Sequence, residues 1–391
     1  MTGRSSGDRS WRSYGWALGL AVASFVLLGV ADSGLGVAWP SMRSVFARDI
    51  ADLGLLLAFL SLGYLTASSG FGRLHSRFGT GRLLVGGGLA LAIGALILTI
   101  ADAWPLVPMS AGVIGLGAGL IDVGMNAHAA LEFDRGSINL LHAAYGLGAT
   151  LGPLFITASL AIGMAWRGGY GALAAVQLGA VYLIWRGRER WHARGPVEEP
   201  PETSSDRWLI VTAMLVFFLL YTGLEVSTGQ WAYTLLVDGR GLSTVAAGVW
   251  VSLYWGGLTV GRLVGGYVGE RVAASRILDL SIMAALTGLA LLWWNPLELG
   301  VIGLPITGLG FAAVFPTMVA QTPARIGRVK STRVIGYQLA AANIGAATIP
   351  WALGLLGGRL GLDALAAGLV AGAGLLGAIH LWTDRSAEKS T

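Results

Sequence analysis

Residues 186–207 read RGRERWHARGPVEEPPETSSDR. This is the longest hydrophilic stretch in the chain. It is charged and proline-rich, a composition that suits a flexible connector. On both sides lie apolar runs, each long enough to cross about 30 Å of hydrocarbon, which takes about 20 residues. Six runs precede it, at residues 15–40, 52–72, 83–101, 105–131, 137–163 and 168–186. Six follow, at 208–236, 243–269, 276–294, 299–322, 333–358 and 363–382. The reading is an all-α polytopic membrane protein with 12 transmembrane helices in two six-helix bundles. The expected divisions are a tail 1–14, a first bundle 15–186, a linker 187–207, a second bundle 208–382 and a tail 383–391.

Composition excludes the other classes. Of 391 residues, 54% are hydrophobic and 12% are charged, and the mean hydropathy is +0.68. A soluble domain carries about 25% charged residues, so a water-soluble protein of this size would lack the charge to cover its surface. Apolar dominance excludes a disordered chain, and the glycines show no period of three. The chain has no cysteine, which removes disulfides, thiol chemistry and cysteine metal sites. The first run follows Arg4, Arg9 and Arg12 as a secretory signal would. It is too long for one and eleven runs follow, so it reads as an uncleaved first span.

The net charge of +5 has a topological explanation. Counting Lys and Arg along the alternating loops puts 20 on the side of the termini, 5 on the other side, and Arg262 within a span. By the positive-inside rule both termini are expected in the cytoplasm. The basic excess then faces the cytoplasmic leaflet, and nucleic acid is an unnecessary partner.

The two halves match weakly at an offset of 193–197 residues. Asp32 with Gly36 pairs with Glu225 and Gly229. Gly115-Leu-Gly117 pairs with Gly308-Leu-Gly310. Gly72, Arg77 and Arg82 pair with Gly266, Arg271 and Arg276. Gly148-Ala149 before Pro153 pairs with Gly345-Ala346 before Pro350. Parallel six-span repeats divided by a linker are the organisation of a secondary transporter, with its site between the halves.

The loop after the second span gives this organisation a family. It reads Gly72-Arg-Leu-His-Ser76-Arg77-Phe-Gly79-Thr-Gly-Arg82, and its second copy reads Gly266-Tyr-Val-Gly-Glu270-Arg271. Both resemble the G-x-x-x-D-R-x-G-R-R loop of the major facilitator superfamily. Ser76 departs from the acidic position, whereas Glu270 keeps it. The resemblance implies a gating role for Gly72, Arg77, Arg82, Gly266, Glu270 and Arg271, although plain topology signals would use the same basic residues. Arg262 joins this gating set and is also a natural structural partner for a buried acid.

A charge at the centre of a span costs about 2.5–3.5 kcal/mol on insertion scales, so acids there are functional by default. Asp32, Asp122 and Glu225 qualify. Rise per residue puts Asp32 and Glu225 in the outer half and Asp122 toward the inner half. Such a stagger suits uptake of a proton on one side and release on the other. Asp279 reads as interfacial.

The segments around these acids resemble the fucose–galactose–glucose:proton symporter branch. They are GVADSGLGVAWP from Gly29, GLIDVGMNA from Gly119, NLLHAAYGLGATLGP from Asn139 and YTGLEVSTGQW from Tyr221. The resemblance ties Asp32, and Asp122 four residues before Asn126, to proton coupling and sugar binding. It implies protons as coupling ion with no further cofactor or metal, a monomer, and a bacterial cytoplasmic (inner) membrane. Sugars need hydrogen-bonding side chains and flat rings. The candidates are Asn126, Asn139, His142, Gln230, Trp231, Tyr254, Gln338 and Asn343. Trp231 could equally belong to an interfacial belt, and Gln338 and Asn343 could join helices.

Other readings stay open. Gly148-xxx-Gly152-Pro153 resembles part of the signature of drug:proton antiporters, without the glycines that usually follow. A transporter-like receptor would share the fold. Enzyme motifs such as H-E-x-x-H, G-x-S-x-G and the Walker A loop do not occur.

Overall fold

A computed structural model describes residues 6–188, 191, 208–268 and 271–388. Its spans are helical because in lipid each backbone polar group must be satisfied within its own segment, and their side chains are mostly apolar because they face lipid or one another. The first six crossings are α1 (Ser6–Ser33) continued by α2 (Leu35–Val45), then α3 (Leu53–Phe78), α4 (Thr80–Ile100), α5 (Leu106–Glu132), α6 (Arg135–Ala161) and α7 (Ala165–Arg186). The second six are α8 (Trp208–Thr234), α9 (Thr244–Val268), α10 (Ala274–Trp294), α11 (Gly303–Ala312) continued by α12 (Val314–Ile326), α13 (Arg328–Leu360) and α14 (Asp363–Glu388). Among the described residues, eleven segments are long and apolar enough to span a membrane. The twelfth crossing is α9, whose apolar character is diluted by Trp250, Tyr254, Trp255 and Arg262.

Two crossings are broken helices. The first span turns at Gly34, directly after Asp32 and Ser33, and α2 carries Pro40. The tenth breaks at Ala313, just before Pro316, whose ring clashes with the carbonyl four residues back. Between α3 and α4 the chain reverses at Gly79, whose φ of +75° lies in the left-handed region that glycine adopts freely.

The repeat expected from the sequence is visible in the packing. Within the first half α1 packs on α6, α3 on α5, and α4 on α5 and α7. The second half repeats this as α8 on α13, α9 on α11, and α10 on α11 and α14. Glycines mark equivalent crossings. A Cβ on Gly148 would run into the backbone of Val26, and one on Gly345 into that of Leu219. Gly115 meets Leu60 in the same way, and Gly308 meets Tyr254. These glycines are therefore close-approach residues of the small-residue kind. The antiporter-like pair has the same explanation, since Gly148 and Gly152 seat α6 on Val26, Val30 and Ser33 of α1.

Between the halves the contacts are also symmetric, α6 on α9 and α3 on α13, with α2 on α8 besides. The tightest lie at the end remote from the chain termini, here called the distal end. Arg43 of α2 forms a 2.7 Å ion pair with Asp238, in the wide turn Leu235–Gly239 that ends α8. Gly54 seats Trp351, Gly354 seats Trp231 and Ala51, and Gly248 seats Thr157.

Candidate functional site

The three intramembrane acids are each held by a tyrosine. Tyr145 on α6 donates to Asp32 over 2.5 Å. Tyr64 on α3 donates to Asp122 over 2.6 Å. Tyr221 donates to Glu225 one turn along α8. The last pair follows from helical spacing, because residues four apart share a face. The other two cross between helices, so no local sequence rule could have paired them.

The remaining partners distinguish the acids. Asn126 donates its amide to Asp122 at 2.8 Å, again one turn along the helix. Glu225 takes the guanidinium of Arg262 at 3.3 Å, and the Tyr254 hydroxyl donates to its main-chain carbonyl at 2.6 Å. Among the described residues, Asp32 and Asp122 form no ion pair. Arg262 is thus bound to an acid rather than placed at a terminal loop with the other gating candidates.

These groups form one cluster rather than separate stations. Tyr64 binds Asp122 and also lies within electrostatic reach of Asp32. Asp32 and Glu225 lie within electrostatic reach of each other across the two halves. His142 reaches both Asp122 and Arg262 electrostatically. Its ring packs edge-on against Phe25, at 6.1 Å and 90°. His142 is nonetheless exposed, as is Asn139 one turn nearer the terminal end. The space beside the acids therefore opens toward the end that carries the termini.

Several candidates fall elsewhere. Trp231 is 1% exposed and gives its indole N–H to the carbonyl of Pro350 at 3.0 Å, so it joins α8 to α13. Tyr254 is fully buried. Gln338 is buried against Thr322 of α12 at 3.1 Å, and Asn343 bonds back to Leu339 of its own helix. Gln230 is buried and bonds Asp32 across the halves, through Nε2 and the Asp32 carbonyl at 3.1 Å. Trp231, Tyr254, Gln338 and Gln230 hold helices together and Asn343 bonds within its own helix, so Asn126 and His142 are left beside the acids, with Asn139 one turn from His142. Trp255, absent from the expected set, lies against Gly229 with its indole N–H buried and unpartnered.

Of the loop candidates, Gly72, Arg77 and Arg82 are exposed, and Arg77 stacks on Phe78. Ser76, in the acidic position, bonds only back to the carbonyl of Arg73. Gly266 lies in the last turns of α9 and Arg271 is exposed beyond it. Glu270 lies outside the described residues, as does most of the linker. Asp279 pairs with buried His380 of α14 at 2.9 Å.

The model of the Major Facilitator Superfamily matches residues 21–304. The chain belongs to the major facilitator superfamily. This facilitator is a multi-pass membrane transporter and not an enzyme. It is 25% identical over 353 residues to the glucose/mannose transporter of Bacillus subtilis, covering 85% of this chain and 86% of that one. It is 24% identical over 386 residues to the human sodium-dependent glucose transporter 1, covering 86% and 73%. The fold superposes on a bacterial homologue of the human lysosomal transporter Spinster with a TM-score of 0.75 at 11% identity, covering 95% and 97%. The sugar-transporter names among its relatives agree with the branch that the sequence resembles.

Proposed function

We propose that this facilitator is a proton-coupled secondary transporter of a small, sugar-like solute, working by alternating access. The observation that carries the reading is the unequal partnering of the three acids. Glu225 has a guanidinium, whereas Asp32 and Asp122 have neutral hydroxyl and amide donors. A carboxyl without a cation can take up a proton and release it without breaking an ion pair. Two such groups, Asp32 and Asp122, supply the coupling sites.

The solute occupies the space beside them, where Asn126, Asn139 and His142 offer donors and acceptors to its hydroxyls. The termini are cytoplasmic by the charge count, so the open end faces inward and the Arg43–Asp238 pair closes the outer end. The protein works as a monomer in a bacterial inner membrane, within two bundles joined by the linker. In reconstituted vesicles, glucose, galactose, mannose or fucose accumulates under a pH gradient. Accumulation under a sodium gradient alone would replace the proton by sodium, as the name of the human relative suggests. Accumulation of cationic drugs but of no sugar would overturn the solute class.

A further inference from the structure

We infer that Gln230 is a positioning residue that ties closure of the distal end to the proton site at Asp32, an inference that rests on the proton-coupled reading above. Gln230 lies on α8 in the second half and is 2% exposed. Its Nε2 donates at 3.1 Å to the main-chain carbonyl of Asp32 in the first half. One turn further, Gly36 faces the same residue. A Cβ there would stand 2.8 Å from the Gln230 Cα and 2.9 Å from its Oε1. The bond thus joins the end of α1 to α8 directly beside the place where α2 meets α8.

Two contacts make up this seam. Arg43 is seven residues beyond Gly36, and Asp238 is eight beyond Gln230. At about 1.5 Å per residue both helices climb roughly the same distance, about 10–12 Å, between the two. The ion pair is the partly exposed contact and the amide is the buried one.

Gln230 carries a second mark of function. Its Oε1 is buried without a hydrogen-bond partner. Buried polar atoms are usually paired, so this acceptor marks a contact that the closed seam leaves incomplete. Half of this amide is committed to Asp32 and half is unspent, as suits a bond that forms and breaks in each cycle. The tethered carbonyl belongs to the last turn before the break at Gly34, the same turn that presents the Asp32 carboxyl to Tyr145. Holding that turn fixes the carboxyl; parting the seam releases it. Closure and proton occupancy are then linked, and by reciprocity each shifts the other.

Tyr145 on α6 hydrogen-bonds Asp32, and Tyr64 on α3 and Glu225 on α8 lie within its electrostatic reach; Asp122 on α5, His142 on α6 and Arg262 on α9 lie next to these groups in turn. None of these touches the Gln230 bond in the hydrogen-bond network. Removing Gln230 therefore leaves the side-chain partners of the acids intact and tests the linkage.

The chain lacks cysteine, so spin labels at Val45→Cys and Val245→Cys report the distal separation of the halves without background. Both sites are exposed, at 55% and 52%. In full-length protein in lipid, the ratio of close to wide populations is expected to change about fivefold between mildly acidic and mildly alkaline buffer, the scale of one hydrogen bond. Gln230→Met should remove this pH dependence. Asp238→Asn should lower the close population at both pH values and keep the dependence. If Gln230→Met does not fold, Gly36→Ala parts the same two helices from the other side and serves in its place. Full pH dependence in the Gln230 or Gly36 variant overturns the inference, as does its loss in Asp238→Asn as well. A wild-type ratio that ignores pH overturns it too, and vesicle uptake then decides separately whether proton coupling stands.

Discussion

Tyr145 donates its hydroxyl hydrogen to Asp32 across 2.5 Å, joining α6 to α1 at the turn before the first span breaks. The contact lies beside a close backbone approach between those helices, where Gly29 faces the carbonyl of Tyr145. The carboxyl is thus held from its own half and its main chain is held from the other.

Asp32→Asn and Asp122→Asn should each abolish accumulation driven by a pH gradient. Exchange of labelled for unlabelled solute needs no net proton movement and should survive in at least one of them. Tyr145→Phe is milder. Losing the hydrogen bond to Asp32 should shift the pH profile of uptake while accumulation survives. Undiminished accumulation in both Asn variants would remove the two acids from the coupling step.

Arg262→Ala leaves Glu225 without its cation. Breaking a buried pair costs about 3–5 kcal/mol, and the partial exposure of the Arg262 side chain reduces this to about 1–3 kcal/mol. Thermal unfolding in detergent should show the loss. Glu225→Gln combined with Arg262→Gln should recover part of it, because no unpaired charge remains. A double variant less stable than Arg262→Ala would contradict the pairing.

Trp231 was a plausible sugar platform in the sequence, yet its ring is sealed between α8 and α13. Trp231→Ala should cost about 3–5 kcal/mol of stability by leaving a cavity. Trp231→Phe keeps most of the packing and loses the bond to Pro350, at about 1 kcal/mol. Solute affinity of the folded Phe variant should stay within about twofold of wild type, a change of under 0.5 kcal/mol. A large affinity loss there would return the indole to the site.

Gly148→Val and Gly345→Val should destabilise the two halves alike. Each places a side chain against the backbone of the first helix of its own half, at Val26 and at Leu219. Overpacking of this kind costs about 1–3 kcal/mol. Unequal effects on thermal unfolding would show that the two crossings are not equivalent.

Asp134 caps α6 through the Ser137 N–H at 2.7 Å, and these hydrogen bonds hold its carboxyl below the usual carboxylate range. A group so depressed stabilises the fold above its unfolded value of about 3.9 and loses that contribution as pH falls through its folded value. Wild type and Asp134→Ala should therefore differ in thermal unfolding above about pH 4 and converge below it. A difference that persists at lower pH would exclude the carboxylate cap.

The fold was legible because it rests on local chemistry. Runs of apolar residues, basic loops and repeated glycines recur at fixed offsets, and the same offsets reappear as paired crossings such as Gly115 with Leu60 and Gly308 with Tyr254. The acids were legible because charge is costly in hydrocarbon. Their partners were legible only along a helix, as with Asn126 and Tyr221. Tyr64 and Tyr145 come from other helices, and nothing in a single chain fixes which faces meet. The same limit explains Trp231, Tyr254 and Gln338. Aromatic and amide side chains in a span serve a solute and a neighbouring helix equally well, and only three-dimensional placement separates the two uses.

The break at Gly34 divides the first span between two allegiances. Its longer piece, α1, rests on α6 of the same half, and its shorter piece, α2, rests on α8 of the opposite half. A straight helix would have to tilt as a whole whenever the outer seam moved. A hinged one lets α2 follow α8 while the rest of α1 keeps its packing on α6. Under the proposed alternating access, this break offers a path through an occluded intermediate, in which a solute is enclosed before either bundle has turned.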